Sequence, residues 1–241
     1  MGTLFLIPNT LGETALSGVI PSEVMRRIAS LRVFASENPK NTRRYLKQID
    51  GTLPLDEFTF LEVNEHSTSR DIEACLPYLA SGDVGVISEA GCPGIADPGA
   101  ELVALAHRHG YRVVPLVGPS SILLALIASG FNGQAFSFNG YLPVKSNERT
   151  RALKNYERQS ALENRTQLFI ETPYRNLKLL EEMLRTLHPD TLLSIACDLT
   201  TLGESVRTLP VREWKLQPLP DLHKRPAIFL FYVPQPNHRP K

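Results

Sequence analysis

The chain has 241 residues, 42% of them apolar and 21% charged, with a formal net charge of +1. This composition describes a folded globular protein rather than a disordered one, and the length suits one large domain or two of ordinary size. Near-neutrality excludes a globally basic surface for nucleic acid or membrane, so any RNA contact has to come from a local patch.

Cys75, Cys92 and Cys197 are odd in number, far apart and without CxxC or Cys/His ligand spacing. Neither a disulfide framework nor a metal site is expected, and a reduced, cytoplasmic setting fits best. The opening "MGTLFLIP" lacks a basic region and a small-residue cleavage site, so it reads as a strand rather than a signal peptide. "ILLALIA" from Ile122, the longest apolar run, is too short to span a bilayer.

In chain order, "TLFLI" from Thr3 predicts a strand and "PNTLGETALS" a loop. Val24, Ile28 and Leu31 share one face of a helix predicted over 22–31. "RVFAS" from Arg32 predicts a strand, "NTRRYLKQI" from Asn41 a short helix and "FTFLEV" from Phe58 another strand. "STSRDIEACLPYLASG" predicts one helix from Ser67 to Gly82, capped by Ser67 or Thr68, with Asp71 in its first turn. "VGVIS" from Val84, a glycine-rich loop, the helix "AELVALAHRHG" and "YRVVPL" then form a β-loop-α-β unit, which requires parallel strands. "VGPSS" from Val117 opens a further helix, "ILLALIASG".

Beyond Phe131 come a strand and turn, "AFSFNGYLP", and a charged helix from Lys145. "TQLFIE", a helix over 176–187, "TLLSIACDL" and a last strand, "AIFLFYV", come after them. The proline-rich "LPVREWKLQPLPDLHKRP" predicts a loop. A boundary near Val117 divides the chain into two α/β lobes, 1–117 and 118–241, with a largely parallel N-terminal sheet and a mixed C-terminal one.

The segment "SEAGCPGIADPG" (Ser88 to Gly99) stands where a parallel strand releases its loop, the usual place for a ligand. Asp97 and Pro98 also have the form of a helix N-cap and first helical residue. The loop matches neither GxxxxGK[ST] nor GxGxxG, and Glu89 and Asp97 would repel phosphate. A neutral or cationic ligand carrying hydroxyls and an amino group suits it better. Cys92 reads as a small buried side chain, with no His near it in sequence.

Together with "RVVPLVGPSS" (Arg112 to Ser121) and "FNGYLP" (Phe138 to Pro143), this loop resembles the tetrapyrrole methylase superfamily. "LIPNTLGE", "ASENPKNTRRYL", "IETPYRN" and "CDLTTLGE" extend the resemblance over almost the whole chain, most closely to the group methylating small-subunit ribosomal RNA. The resemblance implies two α/β lobes, a homodimer, and S-adenosylmethionine bound in the cleft between the lobes. By position it assigns Glu89, Ala90, Gly91 and Ile95 to the methionine and ribose end of the cofactor. Ser120 and Ser121 join them, and Glu171, Ala196, Cys197, Pro226 and Ala227 surround the adenosine.

The implied reaction is in-line methyl transfer to a ribose 2′-hydroxyl of 16S ribosomal RNA, a weak nucleophile that needs a base. The RNA-methylating group has an adjacent Glu-Asp pair before Thr-Arg; here Glu37 is followed by Asn38 and Pro39. Glu37 is therefore the first candidate base, with Glu13 and His66 behind it. Lys40, Arg43 and Arg44, within the basic run from Arg26 to Lys47, are candidates for RNA or small-ribosomal-subunit contact. "KSNERTR" from Lys145 is a second basic cluster. Neither DNA nor membrane is an expected partner. The competing readings are a methyltransferase for a tetrapyrrole or other small molecule, and a cofactor- or RNA-binding protein without catalysis. The porphyrin-methylating members would carry a "GDP"-type loop where this chain has "SEAGCP".

Overall fold

The computed structural model describes residues 2–97 and 99–235, and the chain divides into two units, Met1–Ser120 and Ser121–Lys241. In the first, five short apolar runs pair as a wholly parallel sheet. The strands are β1 (Thr3–Ile7), β2 (Val33–Ser36), β3 (Thr59–Glu62), β4 (Val84–Ile87) and β5 (Arg112–Pro115), in the order β3-β2-β4-β1-β5. Strand alternation sends Phe5, Ile7, Phe34 and Ile87 to one face and Leu4, Ala35, Val84 and Val86 to the other. The first face is covered by α2 (Ser22–Ser30) and α3 (Pro39–Ile49), through Val24, Ile28, Tyr45 and Leu46. The second is covered by α4 (Ser69–Glu73), α5 (Leu76–Ser81) and α6 (Gly99–Arg108), through Ile72, Leu79, Leu102 and Leu105. A short α1 (Leu16–Val19) lies in the connection after β1.

The single helix expected over 67–82 is two helices. Pro77 stands in the first turn of α5, where its missing N–H and ring end the preceding helix instead of continuing it. Thr68, not Ser67, caps α4, in a reciprocal capping box with Asp71. Asp97 accepts from the backbone N–H of Gly99 at the start of α6, as a cap does; Pro98 lies outside the described residues.

The second unit carries α7 (Ser121–Ser129), β6 (Phe136–Tyr141), α8 (Ser146–Glu163), β7 (Thr166–Ile170), α9 (Asn176–Thr186), β8 (Leu192–Cys197), β9 (Ser205–Pro210), α10 (Val211–Trp214) and β10 (Ala227–Tyr232). Its sheet runs β6-β7-β10-β8-β9, with β6 and β7 parallel and the remaining pairs antiparallel. Part of the segment expected to be a loop is ordered as β9 and α10. The strand escapes a hydrophobic-pattern reading because it is an edge strand paired to β8 alone. Trp214 anchors α10 against the sheet, burying its ring and donating its indole N–H to the Leu193 carbonyl at 2.8 Å.

Arg149, in the expected basic cluster, is not a surface charge. It is 4% exposed, pairs with the equally buried Glu182 and also donates to the Pro143 and Val144 carbonyls. Burial raises the Glu182 pKa, but hydrogen bonds from Arg149, Thr150 and Ser146 outweigh it and hold the carboxyl below its ordinary range. A depressed carboxylate contributes stability above its unfolded pKa and loses it as pH falls through the folded one. Replacing Arg149 by Met should leave that buried charge only the longer pair with exposed Arg185, at 3.9 Å, and cost about 3 kcal/mol in denaturant unfolding. The R149M/E182L double variant should recover most of the loss; a loss below about 1 kcal/mol in R149M would contradict the assigned role.

Candidate cofactor and acceptor site

In the first unit β1 crosses to β2 over one face of the sheet, whereas β4 crosses to β5 over the other. Because β1 and β4 are neighbours, their outgoing loops part at the carboxyl end of the sheet, the position where open α/β sheets take ligands. Asn9, two residues beyond β1, ties the two loops together. Its N–H donates to the Gly91 carbonyl at 2.8 Å, and its side-chain amide donates to the carbonyls of Ser88 and Glu89 at 3.0 and 3.1 Å. The preceding Pro8 carbonyl accepts from the buried Tyr45 hydroxyl at 2.7 Å.

Gly91 has φ +70°, and a Cβ there would stand 3.2 Å from the Leu11 side chain and 3.6 Å from the Pro119 carbonyl. Gly118, in the loop after β5, packs so closely on Pro8 that a Cβ would overlap its ring. The loops after β1, β4 and β5 are thus built around main chain rather than side chains. Glu89 and Ala90 stand exposed at their surface, as does Ile95, while Gly91 is buried.

Next to these loops, a cavity of about 620 Å³ is lined by Glu37, Asn64, Glu65, His66, Asp97 and Glu101 among others. Two of the three candidate acceptor residues, Glu37 and His66, therefore meet in one place. Glu13 is exposed on the loop after β1 and does not line this cavity. Burial raises the Glu37 pKa, and repulsion by Asp97, Glu89 and Glu65 adds to it against a weak hydrogen bond from the Glu89 N–H. Among the described residues no ion pair holds Glu37. Asp97 is likewise raised by burial, although its Oδ1 accepts from the N–H groups of Gly94 and Gly99.

Asn38, where a second acid was expected, is the N-cap of α3. Its side-chain oxygen accepts from the N–H groups of Lys40 and Asn41 at 3.0 and 3.3 Å, and Pro39 opens the helix. Asn41 in turn donates to the Glu89 carboxylate. The departure at position 38 thus serves helix initiation and leaves the carboxylate of Glu37 in place.

Much of the basic run is committed locally. Arg26 pairs with Glu23, and the guanidinium groups of Arg27, Arg32 and Arg43 lie over the rings of Phe5, Phe58 and Phe60. Arg43 also donates to the Leu55 carbonyl at 3.0 Å. Lys40, Arg44 and Lys47 remain exposed along α3.

In the second unit, Glu171, Ala196, Cys197, Pro226 and Ala227 come together at one end of the sheet, where Ala227 pairs with Cys197 and Ile228 with Ala196. Glu171 is buried, and one carboxylate oxygen already accepts from Arg175 and from the Thr172 N–H. The Cys197 thiol is pushed up by burial and by Asp198, so it is not an activated nucleophile. Ser121 is the first residue of α7, and Ser120 immediately precedes it. Asn9, Asn41, Asn64, Glu65 and Glu101 belong to this region without having been among the expected site residues. Of these, Asn9 carried a usable signal, an amide directly after a strand-ending proline in "LIPNTLGE".

Residues 20–215 match the family model described as Tetrapyrrole (Corrin/Porphyrin) Methylases. Two relatives named ribosomal RNA small subunit methyltransferase I, from Vibrio cholerae serotype O1 and Pseudomonas aeruginosa, are each 31% identical to this chain. The alignments cover 87% and 88% of this chain, and 69% and 71% of those proteins. Among solved structures, the methyltransferase CobJ aligns with TM-score 0.62 at 17% identity, over 97% of this chain and 100% of its own. The cobalt precorrin-4 methyltransferase CbiF aligns with TM-score 0.59 at 14% identity, over 95% and 94%. These two likenesses show the fold. The family match and the 31% relatives show more: the chain belongs to the tetrapyrrole methylase family and is an S-adenosylmethionine-dependent methyltransferase.

Proposed function

We propose that this chain methylates a ribose 2′-hydroxyl of small-subunit ribosomal RNA. The observation that carries the reading is Glu37, a half-buried carboxylate with a raised pKa, free of ion pairs among the described residues, in a cavity shared with His66 and Asn64. A sugar hydroxyl needs such a base, and a base works best when its pKa is lifted toward the working pH. The names of the 31% relatives supply the RNA.

The loop residues fit the methyl donor. Glu89 and Ala90 are exposed on a loop that bonds to Asn9 fix in place, and the acidic surroundings suit a ligand bearing sulfonium and ammonium charge better than a phosphate. We assign Glu89, Ala90, Gly91, Ile95, Ser120 and Ser121 to its binding, and Ala196, Cys197, Pro226 and Ala227 with Glu171 to the adenosine. When bound, S-adenosylmethionine supplies an electrophilic methyl group. Glu37 accepts the proton of the attacking hydroxyl, while Asn64 and His66 orient the acceptor. Asn38, by capping α3, fixes the backbone from which Glu37 projects, so loss of the second acid does not remove the base. Glu13 is a reserve candidate at the edge of the same strand ends. Exposed Lys40 and Arg44 hold RNA phosphates. A homodimer and a cytoplasmic setting accord with the same family reading. No helix among the described residues is long and apolar enough to cross a membrane.

Incubating the protein with labelled cofactor and either undermethylated small ribosomal subunits or a tetrapyrrole panel should place label in RNA; label in a tetrapyrrole would overturn the acceptor assignment. Glu37→Gln should lower kcat at least about a hundredfold with cofactor affinity unchanged. Because the base must be ionised, wild-type kcat/KM should rise with pH through a limb above the ordinary carboxylate range. That limb should vanish in E37Q, and its persistence would remove Glu37 from the role.

Replacing both Lys40 and Arg44 by Ala should raise KM for RNA and flatten its salt dependence by about two phosphate contacts. Arg43→Ala should instead lower stability by about 0.5–2 kcal/mol through loss of its stack on Phe60. A flattened salt slope in R43A alone would reverse these assignments.

A further inference from the structure

At the end of the second unit's sheet that carries Glu171 and Ala227, two aromatic side chains are exposed, Tyr141 on β6 and, more fully, Tyr174. Tyr174 is 72% exposed in the loop between β7 and α9. The Lys224 ammonium lies 5.8 Å from its ring centre, and the His223 ring meets it edge-on at 6.1 Å. Among the described residues, the ring contacts of Tyr174 are these two, both with side chains of the loop before β10.

The backbone under this group is held rigidly. The Lys224 N–H donates to the Pro173 carbonyl at 3.2 Å, with Lys224 itself in the left-handed region at φ +61°. Asn176, buried at the start of α9, donates to the Arg225 carbonyl at 2.6 Å. The neighbouring Arg175 is anchored to Glu171, and Arg225, next to Lys224, is anchored to Asp198 and to the Gly203 carbonyl. Strain of this kind persists where surrounding bonds over-determine it, and such places are often recognition sites.

An exposed ring on a well-bonded backbone, with a lysine beside it, is a pattern with which proteins hold unpaired nucleobases: the ring stacks on the base and the cation meets a phosphate. Lys178, exposed in the first turn of α9, adds a further positive charge on the same segment, against Asp221 as the near acid. We propose that Tyr174, with Lys224 and His223, is a stacking platform for an unpaired base of the RNA substrate. The proposal rests on the RNA reading above and assigns a substrate-binding role to a loop outside the candidate base and cofactor residues.

The test is a fluorescence titration of the full chain with a single-stranded RNA carrying 2-aminopurine, which stacking quenches. The wild type should bind with quenching. Tyr174→Ala should weaken Kd roughly tenfold and lose the quenching, while Tyr174→Phe stays within about twofold, since stacking needs the ring and not the hydroxyl. Calorimetry should show unchanged cofactor affinity in both variants. Equal RNA affinity and quenching in Y174A would overturn the platform while leaving the methylation reading intact. Equal losses in Y174A and Y174F would also overturn it. No RNA binding by the wild type would overturn both. If Y174A does not fold, photo-crosslinking of wild type to 4-thiouridine RNA decides: adducts within 172–178 support the platform, and adducts only elsewhere overturn it.

Discussion

The divergence of two neighbouring strands sets up the candidate site. β1 and β4 lie side by side but send their crossovers over opposite faces, so their carboxyl ends open between them. Such an opening exposes main-chain polar groups that have to be satisfied. Asn9 satisfies three of the carbonyls at once and converts two diverging loops into one rigid surface. The positive φ of Gly91 and the contact of Gly118 with Pro8 result from that closeness. Helix starts then fall in place around it: Asn38 caps α3 and Asp97 accepts from the first N–H of α6, each beside a carboxylate or loop of the candidate site.

Electrostatics decides what such a surface takes. Carboxylates of Glu37, Glu65, Asp97 and Glu101 face one cavity, and burial together with mutual repulsion raises Glu37. That field favours a cationic methyl donor in the proposed reading, and the phosphates of an RNA acceptor then have to be held by cations outside the cavity. The cationic side chains are kept elsewhere. Arg27, Arg32 and Arg43 lie over aromatic rings of the same unit, the first two still exposed, and Arg149 is sealed in the second unit's core. RNA affinity is therefore assigned to a few exposed cations and to aromatic stacking rather than to a broad basic face.

The strands and most helices were legible because each carries its own period: Phe5 and Ile7 alternate with Leu4, and Val24 recurs with Ile28. What failed was local. A single proline, Pro77, divided a helix whose apolar spacing continued across it. β9 was hidden because an edge strand needs no apolar face of its own, and Arg207 and Pro210 sit in it without penalty. At the site, the ligand loop was visible as glycine and acid after a strand. Partnerships were not: nothing in "KSNERTR" shows that Arg149 turns inward to Glu182, and nothing in "SENPKNTRR" shows that Asn38 caps while Arg43 stacks. The inward turn of Arg149 and the stack of Arg43 depend on residues well beyond the local window.

The central claim is that the transferred methyl ends on a ribose oxygen. A 2′-O-methyl group removes the nucleophile that alkali needs to cleave the adjoining 3′ phosphodiester, so the modified linkage resists hydrolysis. RNA methylated by this protein with labelled cofactor should yield, after complete alkaline digestion, label confined to an alkali-stable dinucleotide. Label released as a mononucleotide would place the methyl on a base and contradict the account.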